Sequence, residues 1–375
     1  MIEPMAAATL RERLAALTAK GSLVLPEGEK LRCLACGHRC LLGEGKEGVC
    51  RVRFVRDGEL RVPWGYVSSV ALDPIEKKPF FHVRPGATAL SFGMLGCDFK
   101  CPYCQNWEIS QTIRDAEADG FAAPRPASPE ALVAAALEAG AAMVTSTYNE
   151  PLITAEWAAA VFAKAREAGL LTGFVSNGNA TPEALDFLRP LVDAYKVDLK
   201  GMREEGYRRV GGRLAVVLDA LSGLVARGFW VEVVTLVVPG HNDSAEELRD
   251  AARFLASLSR DLPWHVTAFH PDYRMSTTPA TTAAALQRAA DIGREEGLRY
   301  VYVGNLPGLV RNGETTFCPG CAEPLVERRG FRVRTCRVTD EGACPECRLP
   351  LPGLWSPRGR HPPGPGAGGD AAPAR

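Results

Sequence analysis

No stretch of this 375-residue chain is long and apolar enough to span a bilayer. Its opening, MIEPMAAATLRERLAALTAK, is an amphipathic helix candidate with Leu10, Leu14 and Leu17 on one face, and it lacks the unbroken apolar segment of a secretion signal. Net charge is missing too. The 44 Lys and Arg match 44 Asp and Glu, so charge makes no case for nucleic acid or an anionic membrane. The chain also lacks a dense Lys/Arg stripe interleaved with aromatics, which argues further against a nucleic-acid-binding module. A glycine fingerprint for dinucleotide phosphates is absent after the first strand candidate. What remains is a globular chain, expected to be cytoplasmic, with length for one large core and small appendages or for two ordinary domains.

Cysteine is what the chain has. Of its twelve, eleven fall in three tight groups. A disulfide framework belongs to small secreted chains, so metal sites in a reducing cytoplasm explain the grouping better. The first group is Cys33, Cys36, Cys40 and Cys50, with Gly43, Gly45 and Gly48 available for tight turns. Four thiolates so close together predict a closed metal site. Spacing leaves zinc and a second iron–sulfur cluster open, with zinc narrowly favoured because nothing nearby looks redox-tuned. The third group, Cys318 with Cys321 and Cys344 with Cys347, reads as a zinc ribbon: two CxxC knuckles joined by the hairpin-like LVERRGFRVRTCRV. Its metal would supply folding free energy rather than chemistry. Cys336, between the two pairs, is expected to be an ordinary buried thiol.

The middle group differs. Cys97, Cys101 and Cys104 follow the strand-like ALSFGMLG, and only three thiols are present. Structural zinc normally takes four protein ligands, whereas three thiolates suit an iron–sulfur cube with one iron left open. The plain alternative is a zinc site completed by a distant cysteine.

Around this loop, strand candidates at 88–96, 142–148, 171–177, 194–199, 230–238, 264–269 and 299–303 alternate with helical stretches. Several of those stretches open on a Ser or Thr cap with glutamate soon after, and several close on glycine. Such alternation predicts a parallel α/β sheet, closed or partly closed. Five zones follow: an N-terminal helix at 1–30, a four-cysteine module and hairpin at 31–84, a barrel at 85–308, a zinc-ribbon-like module at 309–354, and a disordered Pro/Gly-rich tail at 355–375. In parallel barrels the loops after the strand C-termini carry chemistry. Here those ends hold Cys97 to Cys104, Asn149 and Glu150, Asn177, Asp198 and Lys200, His241 and Asn242, and His270. His241 and His270 each follow an apolar run and are candidate polar or acid–base groups. Lys200 and Arg274 are candidates for binding a substrate carboxylate or phosphate.

The run GCDFKCPYCQNWEIS resembles the cluster loop of radical S-adenosylmethionine (SAM) enzymes of the pyruvate formate-lyase activating enzyme group. TYNEP at 147–151, DLK at 198–200, YVGN at 302–305, the N-terminal CLACGHRCLLGEGKEGVCRVR and the tail's CPGC and CPEC resemble one subgroup. It is the radical SAM member of the AmmeMemoRadiSam system, which occurs with a Memo-like and an AMMECR-like protein. The resemblance implies an α/β fold, a partial (β/α)6 TIM-like barrel holding a [4Fe–4S] cluster against SAM. Cys97, Cys101 and Cys104 would ligate three irons, and SAM would chelate the fourth. Tyr103 would pack near the adenine. Glu150, with Asn149 as a candidate to share the role, would meet the SAM amino group, although TYNEP departs from the commoner GGEP wording. Asn177 and Asp198 match later positions that approach SAM or substrate. The implied reaction is reductive cleavage of SAM to methionine and a 5′-deoxyadenosyl radical, which takes hydrogen from a substrate. A reductant such as flavodoxin or ferredoxin is implied, with Memo-like and AMMECR-like proteins as candidate partners. The alternatives are a glycyl-radical-type activase acting on a partner protein, and a non-catalytic zinc-stabilised scaffold or nucleic-acid-binding protein.

Overall fold

Seven short apolar runs, most of them closed by a polar residue or glycine, form a parallel sheet: Thr88–Gly93, Met143–Ser146, Leu171–Ser176, Ala194–Asp198, Trp230–Val237, Trp264–Ala268 and Val301–Gly304. The computed structural model describes residues 9–115 and 122–356. Within it these strands lie side by side in chain order, and nearly every residue in them is buried, as strands covered on both faces require. The connections carry the helices Pro129–Glu138, Ala155–Glu167, Pro182–Leu188, Leu214–Ala226, Ala245–Leu258 and Ala283–Glu295. Ser128, Thr181, Ser244 and Thr282 cap four of them by accepting from backbone N–H groups of the first turn. The sheet has two free edges and is therefore a partial barrel.

Several elements escaped the sequence reading, and two of them belong to the barrel. Helix Glu204–Val210 follows the fourth parallel strand. An eighth strand, Ser69–Pro74, pairs antiparallel with Thr88–Gly93 from Ser69↔Gly93 to Pro74↔Thr88. The main sheet thus takes in residues that the reading placed in the N-terminal module, ahead of position 85.

The segment after that eighth strand forms the barrel floor. Ile75, Phe80 and Val83 pack with Ala89, Met143, Leu171, Ala194 and Trp230, which lie at or next to the first residues of five strands. Phe81 and His82 donate their N–H groups to the buried Glu232 carboxylate at 2.9 Å each, and His265 Nε2 lies 2.7 Å from it. Burial pushes that carboxyl up, but His265, His82 and the two amides outweigh it, so it is held below the usual range.

The N-terminal module is a set of small antiparallel pairings. Thr9 and Glu12 form a capping box on helix Leu10–Ala16. Strands Phe54–Arg56 and Glu59–Pro63 make the expected hairpin, whose turn residues Asp57 and Gly58 both have positive φ (53° and 71°), as a primed turn demands. Arg53 fastens the module to the barrel: buried, it donates to both carboxylate oxygens of buried Glu156 at 2.7 and 2.8 Å. The tail module is the three-stranded sheet Thr316–Phe317, Pro324–Arg329 and Arg332–Cys336. Its Arg328 reaches the floor, lying over the Phe81 ring and donating to the Phe81 carbonyl at 2.6 Å. Of the tail read as disordered, 357–375 lies outside the described residues, and Trp355 packs against the His82 ring. Cys336 is exposed rather than buried. No helix among the described residues is long and apolar enough to cross a membrane.

Candidate active site

The loop that leaves the first parallel strand carries its three cysteines to the edge of a cavity of about 730 Å³ inside the barrel. Gly96 makes this path possible. Its φ is +95°, and a Cβ there would meet Val52 Cγ1 at 3.1 Å and the Cys50 carbonyl at 3.4 Å. Cys97, Cys101 and Cys104 all line the cavity, and no other cysteine does. Burial pushes all three thiols up, Cys101 to about 12. Only a bound cation would hold such groups as thiolates. Their spacing is open: among the described residues, the tail quartet is the one group of three or more ligand atoms lying within 4.8 Å of one another. Three soft donors, one buried and two partly buried, that face an internal cavity and are not drawn together as the tail quartet is, fit a cluster with an open corner.

Strand ends bring most of the predicted partners to the same cavity. Tyr103, Asn149, Glu150, Asn177, Asp198, Lys200 and His270 line it. The Tyr103 hydroxyl is buried without a partner among the described residues. Glu150 helps hold the site together: it accepts from Leu152 N at 3.0 Å, Ser176 Oγ at 2.7 Å and Asn177 N at 2.7 Å. Burial and the nearby Asp98 charge push its carboxyl up to about 8. Asn149 accepts from Met94 N at 3.0 Å and donates to the Glu150 carbonyl, tying the second strand end to the first. Asp198 pairs with Lys196 and, at 3.6 Å, with Lys200; burial opposes its ionisation, but the two ammonium groups hold it below the usual range.

Two candidates stand elsewhere. His241 is not among the cavity-lining residues; its ring packs edge-on against Tyr103 at 5.4 Å, and burial and then Arg209 and Lys200 lower its pKa. Arg274 is largely exposed and pairs with Asp115 at 2.9 Å.

Sequence reasoning missed Asp98 and Lys196. Asp98 is buried directly beside Cys97, whose thiol sits 3.8 Å from its Oδ1, and it accepts from Asn177 Nδ2 at 2.7 Å and Asn179 Nδ2 at 2.8 Å. Its place between two cysteines hid it. Lys196 had a readable signal, because AYKVDLK puts Lys196, Asp198 and Lys200 on one face at period two. The tail also contributes: Gly330 and Phe331, at its hairpin tip, and Glu314 line the cavity.

The family model described as the radical SAM superfamily matches residues 93–255. A Methanocaldococcus jannaschii protein, described as uncharacterized, is 37% identical over 311 residues, covering 82% of this chain and 90% of that one. Among solved structures, a domain of a pyruvate-formate lyase-activating enzyme from Bacteroides vulgatus aligns with a TM-score of 0.39 and 19% identity, over 43% of this chain and 98% of that one. A radical SAM methyltransferase from Sphaerobacter thermophilus aligns with a TM-score of 0.43 and 17% identity, over 60% and 68%.

Proposed function

Because the chain belongs to the radical SAM superfamily, we propose that Cys97, Cys101 and Cys104 hold its [4Fe–4S] cluster and that the barrel cavity receives SAM and a substrate. The single observation that carries this assignment is that these three cysteines alone line the cavity in which the strand ends converge. Bound together, cluster and SAM supply reductive cleavage to methionine and a 5′-deoxyadenosyl radical, the chemistry general to this superfamily.

The chain's own part is orientation and exclusion. Glu150 holds the second and third strand ends in register through its three internal hydrogen bonds. It retains acceptor capacity toward the cavity, and a bound ammonium would favour its ionised form. Tyr103 supplies an apolar ring with an unpartnered hydroxyl beside the last cysteine. Asn149 keeps Glu150 in place, and Asn177 links the site to Asp98. Lys196, Asp198 and Lys200 form a charged ridge on the cavity wall, suited to fixing a polar substrate group. The floor segment and Phe81 close the far end against water. His270 sits at the rim, where an exposed imidazole can meet substrate.

The tail quartet is proposed to bind structural zinc. Cys318 and Cys347 Sγ lie 3.5 Å apart, and Cys321 and Cys344 Sγ 3.6 Å apart, close to the spacing of four thiolates on one tetrahedral ion. The chain is further proposed to be the radical SAM member of the AmmeMemoRadiSam system, supported by the motifs that flank the cluster loop, with a Memo-like or AMMECR-like protein covering the barrel mouth.

Anaerobically purified protein, given dithionite and SAM, is expected to release 5′-deoxyadenosine, and adding SAM should change the electron paramagnetic resonance signal of the reduced cluster. Alanine at Cys97, Cys101 or Cys104 should abolish both. A SAM-dependent change that survives any one of these replacements would remove that cysteine from the ligand set.

A further inference from the structure

The N-terminal cysteines contrast with the tail's in a way that bears on what they bind. Cys318, Cys321, Cys344 and Cys347 draw together as tightly as a single zinc ion demands. Cys33, Cys36, Cys40 and Cys50 do not, although they occupy a shorter span of chain and three of them are buried. No three of their thiols, alone or with a neighbouring carboxylate or imidazole, fall within 4.8 Å of one another. In this they match the central triad. A cube with four iron corners holds its thiolates further apart than one ion does, so the wider setting fits the larger guest.

Rigid backbone sets that spacing. Cys33 N donates to the Cys40 carbonyl at 2.9 Å, and Arg39 N to the Cys36 carbonyl at 3.0 Å. Gly48 N donates to the Arg53 carbonyl at 2.8 Å, fixing the loop that presents Cys50. Arg53 is itself locked to Glu156.

Position supplies the second argument. The quartet lies directly behind the cluster loop. Gly37 N donates to the Asn179 carbonyl at 2.7 Å, Asn179 donates to Asp98, and His38 Nε2 lies 3.2 Å from the Asp98 carbonyl. The Cys50 carbonyl abuts Gly96, one residue before Cys97. Arg114 donates to the carbonyls of both Phe99 and Val49, clamping the two cysteine loops together. On its other side the module meets solvent, where Cys40 is partly exposed and Val49 is 47% exposed.

We propose that Cys33, Cys36, Cys40 and Cys50 hold a second [4Fe–4S] cluster, which passes electrons from the protein surface to the triad's cluster. A one-electron donor of low potential is oxidised and the quartet's cluster reduced; the same electron then moves on, leaving the quartet's cluster oxidised and the triad's reduced by one. No bond is made or broken in this step, and no proton is required. The relay half of the proposal rests on the radical SAM reading above; the cluster half does not.

The test uses full-length protein purified anaerobically. Wild type should carry about eight irons and eight sulfides per chain, and the triple variant C97A/C101A/C104A about four of each, with a reduced signal indifferent to SAM. Iron absent from the triple variant, with two zincs per chain, overturns the second cluster. That count stands even if wild type never responds to SAM, so the two readings fail separately. For the relay, Cys36→Ser/Cys50→Ser protein should retain the SAM-responsive triad signal but accept electrons from flavodoxin hydroquinone at least ten-fold more slowly than wild type. An unchanged rate overturns the relay. Should the double variant not fold, Cys40→Ser, at the partly exposed position, serves for the same rate measurement.

Discussion

Two cysteine quartets flank the barrel, and they are built in opposite ways. In the tail, the thiols are a large part of the core: Cys318 and Cys344 are buried with Leu325, Val326 and Leu351, against which Val333, Val338 and Trp355 pack partly buried, and Cys321 and Cys347 are exposed. At the N-terminal end, Cys33 and Cys36 belong to the main core of the protein, and Cys50 packs with Val52 and Ile153. In the first case the proposed zinc would stand in for apolar area that a small module lacks. In the second, apolar packing and a buried ion pair fix the ligands whether or not anything is bound. The same residue in a similar CxxC spacing is a fold-maker in one place and a guest of the fold in the other.

The sharpest way to break this comparison is to strip the metals. Removing the tail's ion, by chelation or by Cys344→Ser, is expected to unfold residues 314–354 locally, since structural zinc contributes on the order of 10 kcal/mol to such modules. Limited proteolysis should then cut the tail while the N-terminal module resists. Equal sensitivity of both modules would erase the distinction. Next in size is Arg53→Met, which leaves the buried Glu156 carboxylate unpaired and should cost about 3–5 kcal/mol. Denaturant unfolding measures it. A loss below about 1 kcal/mol would mean that the N-terminal module is held by its metal after all.

A pH dependence sharpens the tail side. His82 Nδ1 donates to the Pro352 carbonyl at 2.7 Å and its Nε2 lies 2.7 Å from the Tyr302 hydroxyl, so this ring joins tail and floor. Burial lowers its pKa from 6.5 to about 4. Between those values the unfolded chain binds a proton that the folded one refuses, so stability falls as pH falls through that window. The full loss is on the order of 3 kcal/mol. Thermal unfolding from pH 7 to 4 should show it, and His82→Gln should flatten the slope. A slope unchanged in that variant would place the acid sensitivity elsewhere.

Much of this molecule was legible in its residues. The seven parallel strands fall inside or within one residue of the apolar runs, because a strand covered on both faces must be apolar throughout and must end where polarity returns. The caps Ser128, Thr181, Ser244 and Thr282 marked helix starts by their own hydrogen-bonding chemistry. The edge strand Ser69–Pro74 was hidden because its residues alternate between half-buried and exposed, and it ends in proline. The floor segment was illegible for a different reason: Ile75, Phe80, Phe81 and Val83 obey no period, since they fill the end of a barrel rather than a face. Arg274 and His241 show the limit for loops. Both follow strands, yet Arg274 turns out to Asp115 and His241 onto the flank of Tyr103, and nothing local decides which way such a side chain points.

One consequence follows from the tail's hairpin tip. Phe331 is 46% exposed, yet with Gly330 it lines the cavity that the cysteine loop also lines. A chain cut short before residue 314 would keep every strand of the barrel and all three thiols of the central loop, and still have a breach in its chamber wall. The shape of the chamber is therefore set partly by a segment that belongs to no strand of the barrel.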